Sequence, residues 1–201
     1  GKEVKVTIIK NDDGTIKNIS YQFSNGTSQG VKNKFKNNAE AIFDKLGQTK
    51  SGVEQLEKAI IIDTKISFKL DPGKSTDDKR KNDGRNTKHH LGWTWNPISE
   101  DSKGIQSMDK SRITEVIIYL GTINEFQSKV GSEESGYTVD EIIGYTAGHE
   151  IEHTTDKNRM ITIDKHNKPG TYQQNVEKKP EEVETKIKNE IKSKKSKNEK
   201  N

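Results

Sequence analysis

The chain contains no cysteine, which excludes disulfides, thiolate metal sites and cysteine nucleophiles together. The absence leaves the compartment open, because cytosolic and secreted proteins can both lack the residue. Long apolar runs are missing as well. No stretch approaches the roughly 18 residues of a membrane span, and no signal-peptide pattern opens the chain. Leu, Ile, Val and Phe make up about one fifth of the sequence, near the level at which disorder becomes the default expectation. These residues are grouped, however, as in Ala59-Ile60-Ile61-Ile62 and Val116-Ile117-Ile118-Tyr119-Leu120. A modest core inside long polar loops fits that grouping better than a disordered chain. The first residue is Gly1 rather than Met, which reads as a piece cut from a longer protein or as a trimmed chain.

An excess of one charge is also small. The net charge is +4, and Lys192 to Asn201, with five Lys and one Glu, carries all of it. The body is therefore neutral. Residues 192–201 read as a disordered Lys-rich tail, and no phosphate-tracking surface is implied. Nucleic acid and membrane are both set aside as partners.

Residues 1–27 form an expected N-terminal hairpin. Weak alternation over Lys5–Lys10 and a second run over Ile16–Phe23 flank the turn Asn11-Asp12-Asp13-Gly14. Val31, Phe35, Ala39, Ile42, Phe43 and Leu46 recur at helical spacing up to Gly47. A shorter helix is expected over Ser51–Lys58, then strand over Ile60–Asp63 and Lys65–Leu70. Asp71–His90 reads as a long loop, Gly92–Pro97 as a short edge strand, and Ser99–Ser111 as loop. Ile113–Leu120 is the best strand of the sequence and suits a central position. Met160–Ile163 allows another strand. Pro180-Glu181-Glu182 opens a C-terminal helix with Val183, Ile187 and Ile191 on one stripe. The expected fold class is α+β, with residues 28–191 as the main domain.

The chemistry concentrates in one helix. Thr138 with Glu141 makes a capping box, and Val139, Ile143, Ala147 and Ile151 form its buried stripe. His149-Glu150-Ile151-Glu152-His153 lies near its end. Two His four residues apart project from one helical face and can reach one Zn²⁺. Glu150, beside the first ligand, is placed to take a proton from a metal-activated water. A third ligand is required. The continuation with Gly and His at the next spacings is absent, since the chain has Asp156 and Arg159 there. Glu182 is the choice for the third ligand, with Glu181, Glu184 and the loop residue His166 left open. Asp156 is a candidate to orient a ligand imidazole. Tyr172, and with it Tyr145, is a candidate to donate to a tetrahedral oxyanion. Trp93 and Trp95 share a strand face, suited to packing or to the rim of a cleft. His89-His90 reads as an exposed loop pair.

The series Gly92-Trp93-Thr94-Trp95-Asn96-Pro97, Ile117-Ile118-Tyr119-Leu120, Gly148–His153 and Glu181-Glu182-Val183-Glu184-Thr185 resembles the effector-type zinc metallopeptidases. These occur as type III secretion effector proteases and as C-terminal toxin domains of Rhs-repeat proteins. The resemblance spans approximately residues 28 to 191. It implies a zincin-like fold, with a small mixed sheet, an active-site helix and a C-terminal helix. It implies His149, His153 and Glu182 on zinc, Glu150 as base, and secretion or delivery into a target cell. A protein or peptide is the implied substrate, and a cognate immunity protein the implied partner. A zincin-fold module that binds without cleaving is the alternative function.

Overall fold

A computed structural model describes residues 4–61, 65–75, 90–168 and 175–199. The fold is mixed α+β. Strands β1 (Val4–Lys10) and β2 (Ile16–Phe23) form the antiparallel hairpin. Gly14, at φ 84°, supplies the left-handed residue of its turn. The hairpin packs on the body: Tyr21 and Phe23 meet the Phe35 ring edge-on at 5.0 and 5.4 Å, and Ile8, Ile16 and Ile19 reach the core.

Phe35 belongs to α1 (Gln29–Phe35), which passes through a π-helical turn (Lys36–Glu40) into α2 (Ala41–Leu46). Helix α3 (Lys50–Ile61) follows. Ile60 and Ile61, read as strand above, are its last turn. Val53, Leu56 and Ile60 continue one helical stripe, and Ile61 is left 80% exposed. Residues 62–64 lie outside the described residues.

The sheet that carries the site has three described strands: β3 (Ile66–Asp71), β4 (Gly92–Trp95) and β7 (Thr114–Tyr119). Their order is β3-β7-β4, with β3 parallel and β4 antiparallel to the central β7. Most of the Asp71–His90 loop lies outside the described residues. Ser99–Ser111, read as loop, holds a small hairpin of β5 (Ile98–Glu100) and β6 (Gln106–Met108). Asp101 Oδ1 accepts from the Lys103 and Ile105 amides and closes its turn.

Helix α4 (Leu120–Ser128) and a 3₁₀ turn (Glu133–Gly136) lead to α5 (Val139–His153). The capping box forms at its start: Thr138 N donates to Glu141 Oε2, and Glu141 N to Thr138 Oγ1. Ile142, Tyr145 and Ile151 of α5 are fully buried among α2, α3, α7 and the sheet. Met160–Ile163, an expected strand, lies in helix α6 (Asp156–Asn167), started by Thr155 capping Asn158 N. Helix α7 (Lys178–Asn198) crosses α5 closely at Gly148, where a Cβ would run into Ile187 Cδ1. It continues into the Lys-rich end read as a tail. There Lys194 donates to Gln48 O, and Lys195 to Glu141 Oε2. Ser51 is held by α7 as well: its N–H and hydroxyl donate to the Glu190 carboxylate at the start of α3.

Candidate metal centre

Helix α5 ends in His149 and His153, one turn apart, both mostly buried with 17% and 15% of their side chains exposed. Their Nε2 atoms face each other at 3.2 Å. Glu177, immediately before α7, brings Oε2 to 3.2 Å from each of those nitrogens. Three ligand atoms thus form a triangle of equal 3.2 Å edges. Four ligands set tetrahedrally around a centre at 2.0–2.1 Å are about 3.3–3.4 Å apart. The spacing therefore fits a small divalent ion, and His149, His153 and Glu177 form a group that could hold one.

The electrostatics agree with a cation site. Burial opposes a charged His149 imidazole, but hydrogen bonds to Glu177 and Glu184 outweigh it and raise its pKa to about 10. Hydrogen bonds from His149 and His153 hold Glu177 well below the ordinary carboxylate range. Positive charge is favoured here, whether it arrives as protons or as a metal.

The back of each imidazole is fixed. His149 Nδ1 lies 3.0 Å from Glu184 Oε2. His153 Nδ1 lies 2.8 Å from the Asn158 side-chain amide, whose buried oxygen has no hydrogen-bond partner among the described residues. Turning that amide over lets the oxygen accept Nδ1–H, and each ring then presents a lone pair on Nε2.

Glu150 is 7% exposed and points to the sheet. The Thr94 hydroxyl lies 2.7 Å from its Oε2 and 2.8 Å from its backbone oxygen. Burial, opposed by the two imidazoles and the Thr94 hydrogen bond, raises the Glu150 carboxyl above its usual range. Strand β4 approaches this closely because residue 92 is glycine. A Cβ there would sit 2.7 Å from Glu150 Cγ and 2.8 Å from Thr146 Cγ2. Asn96 fastens the far end of the strand by donating to His153 O at 3.0 Å.

Among the other sequence candidates, Glu182 lies away from the imidazoles, paired with Lys179 at 2.6 Å, and Glu181 is exposed. Glu184 stands behind His149. His166 sits on α6, 3.8 Å from Glu100. Asp156 pairs with Lys110 at 3.3 Å, so Asn158 takes the position behind His153 foreseen for it. Tyr145 is fully buried, its ring under Lys188 at 4.3 Å. Tyr172 and His89 lie outside the described residues. Trp93 is half-buried beside His90, and Trp95 is exposed with Arg112 over its ring at 4.9 Å. Glu177, Asn158, Thr94 and Gly92 were not singled out individually for the site by sequence reasoning.

No family model, curated protein or solved structure matches this chain. Among the described residues no helix is long and apolar enough to cross a membrane.

Proposed function

We propose that the chain is a zincin-like zinc endopeptidase in which His149, His153 and Glu177 hold the ion and Glu150 is the general base. The observation that carries this reading is the triangle of 3.2 Å contacts with Glu150 on the same helix. Glu177 stands where the sequence suggested Glu182. A zinc ion there supplies a water pKa lowered toward 7 and a polarised carbonyl. Glu150 takes the proton of the attacking water and hands it to the leaving amine. Its burial favours the first transfer, because a carboxylate of raised pKa is a stronger base. Thr94 keeps Oε2 in place, leaving Oε1 for the proton.

Strand β4 supports a peptide substrate. Tyr119 N donates to Leu91 O at 2.8 Å, so antiparallel alternation turns the Trp93 and Trp95 backbone toward β7. The polar groups of Gly92 and Thr94 then face the edge of β4 that no other described strand pairs with, beside Glu150. The other edge is occupied, since Leu70 N of β3 donates to Asn38 Oδ1 at 2.9 Å. An extended peptide adding to β4 lies across the centre. The setting as a delivered toxin or effector, with an immunity protein as partner, rests on the resemblance of the motif series alone.

The test is metal analysis with a casein cleavage assay on the wild type and Glu150→Gln. One zinc per chain and Glu150-dependent cleavage support the reading. Zinc without cleavage moves the chain to a binding module, and no metal uptake refutes the proposal.

A further inference from the structure

Behind His149, on the side away from Glu177, runs a chain of charged groups that the proposed reaction does not use. Glu184 Oε2 faces His149 Nδ1 at 3.0 Å, and its other oxygen, Oε1, meets Lys188 Nζ at 2.6 Å. Lys188 Nζ also meets Glu133 Oε1 at 2.6 Å. The ammonium lies over the Tyr145 ring at 4.3 Å, with the Tyr137 ring at 5.9 Å. Only 10% of the Lys188 side chain is exposed, against 70% for Glu133. The chain therefore leads from solvent at the 3₁₀ turn, through α7, to a ligand on α5.

A buried ion pair is a weak source of stability, because apolar residues of similar volume often do as well or better. Lys188 lies on the buried side of α7 beside Ile187 and Ile191, where methionine would extend the core. A lysine supplies what methionine lacks, a fixed direction for the Glu184 carboxylate. Resting on the metallopeptidase reading, we infer that Lys188 is a positioning residue for the metal centre. It clamps Glu184 Oε1, so that Oε2 holds the Nδ1–H tautomer of His149 and aims Nε2 at the triangle with His153 and Glu177. Glu133 anchors the ammonium from outside. The sequence places Lys188 one helical turn after Glu184, the spacing at which two side chains on one helix meet.

The experiment uses the full chain with Lys188→Met, Lys188→Arg and Glu184→Gln. Zinc affinity is measured by competition with a chromophoric chelator, the visible spectrum is recorded on cobalt-loaded protein, and urea midpoints report folding. Lys188→Met is expected to weaken zinc roughly tenfold, within the 10–100-fold range for partners of metal ligands, and to alter the cobalt spectrum. Lys188→Arg, which keeps a cation, recovers most of both. Glu184→Gln presents an N–H to one of its two partners and loses affinity without rescue. Wild-type affinity and spectrum in Lys188→Met overturn the positioning role and leave the peptidase reading standing. Equal losses in the Met and Arg variants overturn it too, since that pattern marks packing. If Lys188→Met does not fold, Glu184→Gln decides, and wild-type behaviour there overturns the proposal. A wild-type chain that takes up no zinc overturns both readings.

Discussion

Replacing Glu177 by Gln should erase most of the stabilisation that zinc gives the fold, whereas replacing Glu182 by Gln should leave it intact. Glu177 Oε2 is one of three atoms spaced 3.2 Å apart; Glu182 is turned to Lys179. Zinc at 100 times its dissociation constant adds about 2.7 kcal/mol to the stability of a protein that binds it only when folded. For a chain of this length each kcal/mol moves the melting midpoint by about 2–4 °C, so the wild type gains roughly 5–10 °C. Loss of a direct ligand exceeds the 10–100-fold loss typical of an outer partner. A 100-fold loss at the same zinc concentration already reduces the gain to about 0.4 kcal/mol, or about 1 °C. The assay is a pair of thermal melts, with zinc and with chelator, on the wild type and both variants. A Glu177→Gln chain that keeps the full zinc increment while Glu182→Gln loses it would refute the assignment.

Glu150→Gln should lower cleavage by about 10²–10⁴-fold, the usual contribution of a general base, with zinc affinity close to wild type in the chelator competition. Gly92→Ala drives a methyl into Glu150 and Thr146 and should cost about 1–3 kcal/mol of stability in urea unfolding; an unchanged midpoint contradicts the close strand–helix approach. In the metal-free chain His149, raised from 6.5 to about 10, contributes stability that is complete below pH 6.5 and is lost as pH rises toward 10. Glu177, held below its ordinary 4.5, contributes above that value and loses its contribution as the solution becomes acid. Zinc requires deprotonated ligands, so chelated protein should lose stability from pH 6.5 upward while the zinc increment grows. Melts at several pH values with chelator and with zinc read both slopes, and an increment that shrinks on going alkaline counts against the site.

Periodicity made much of the fold legible where one face is apolar. The hairpin, the helical run ending at Leu46, the central β7 and the capped α5 all carry such patterns. It failed where the buried face is polar. Helix α6 buries Asn158, Arg159 and Ile163, so no apolar stripe marks it, and Arg159 spends its guanidinium on Thr114 Oγ1 at 2.7 Å. The end of α7 is similar. Beyond Ile191 its contacts are made by lysines, Lys192, Lys194 and Lys195, whose charge suggested a solvated tail. Ile60-Ile61 misled in the opposite way, a β-branched pair of which Ile60 continues a helical stripe already set by Val53 and Leu56 while Ile61 is left exposed.

In the site, the two His and Glu150 were legible because their geometry is set within a single helix. The third acid depends on how a second helix is rotated against the first, and the first-turn acids could not say which faced inward. The stripe of α7 does carry that information. At 100° per residue, Pro180, Val183, Glu184 and Ile191 all fall within about 60° of Ile187, while Glu182 falls about 140° away. Glu177, seven residues before Glu184, falls about 80° from Ile187, on the Glu184 side of the stripe. The pair Glu177 and Glu184, two turns apart, thus serves one imidazole from both sides, the first at Nε2 and the second at Nδ1. Both contacts need α7 to lie close along α5, which Gly148 permits by leaving room for Ile187. Helix rotation and helix approach together bring Glu177 to the imidazoles, so a bulkier residue at position 148 should loosen Glu177 and Glu184 together.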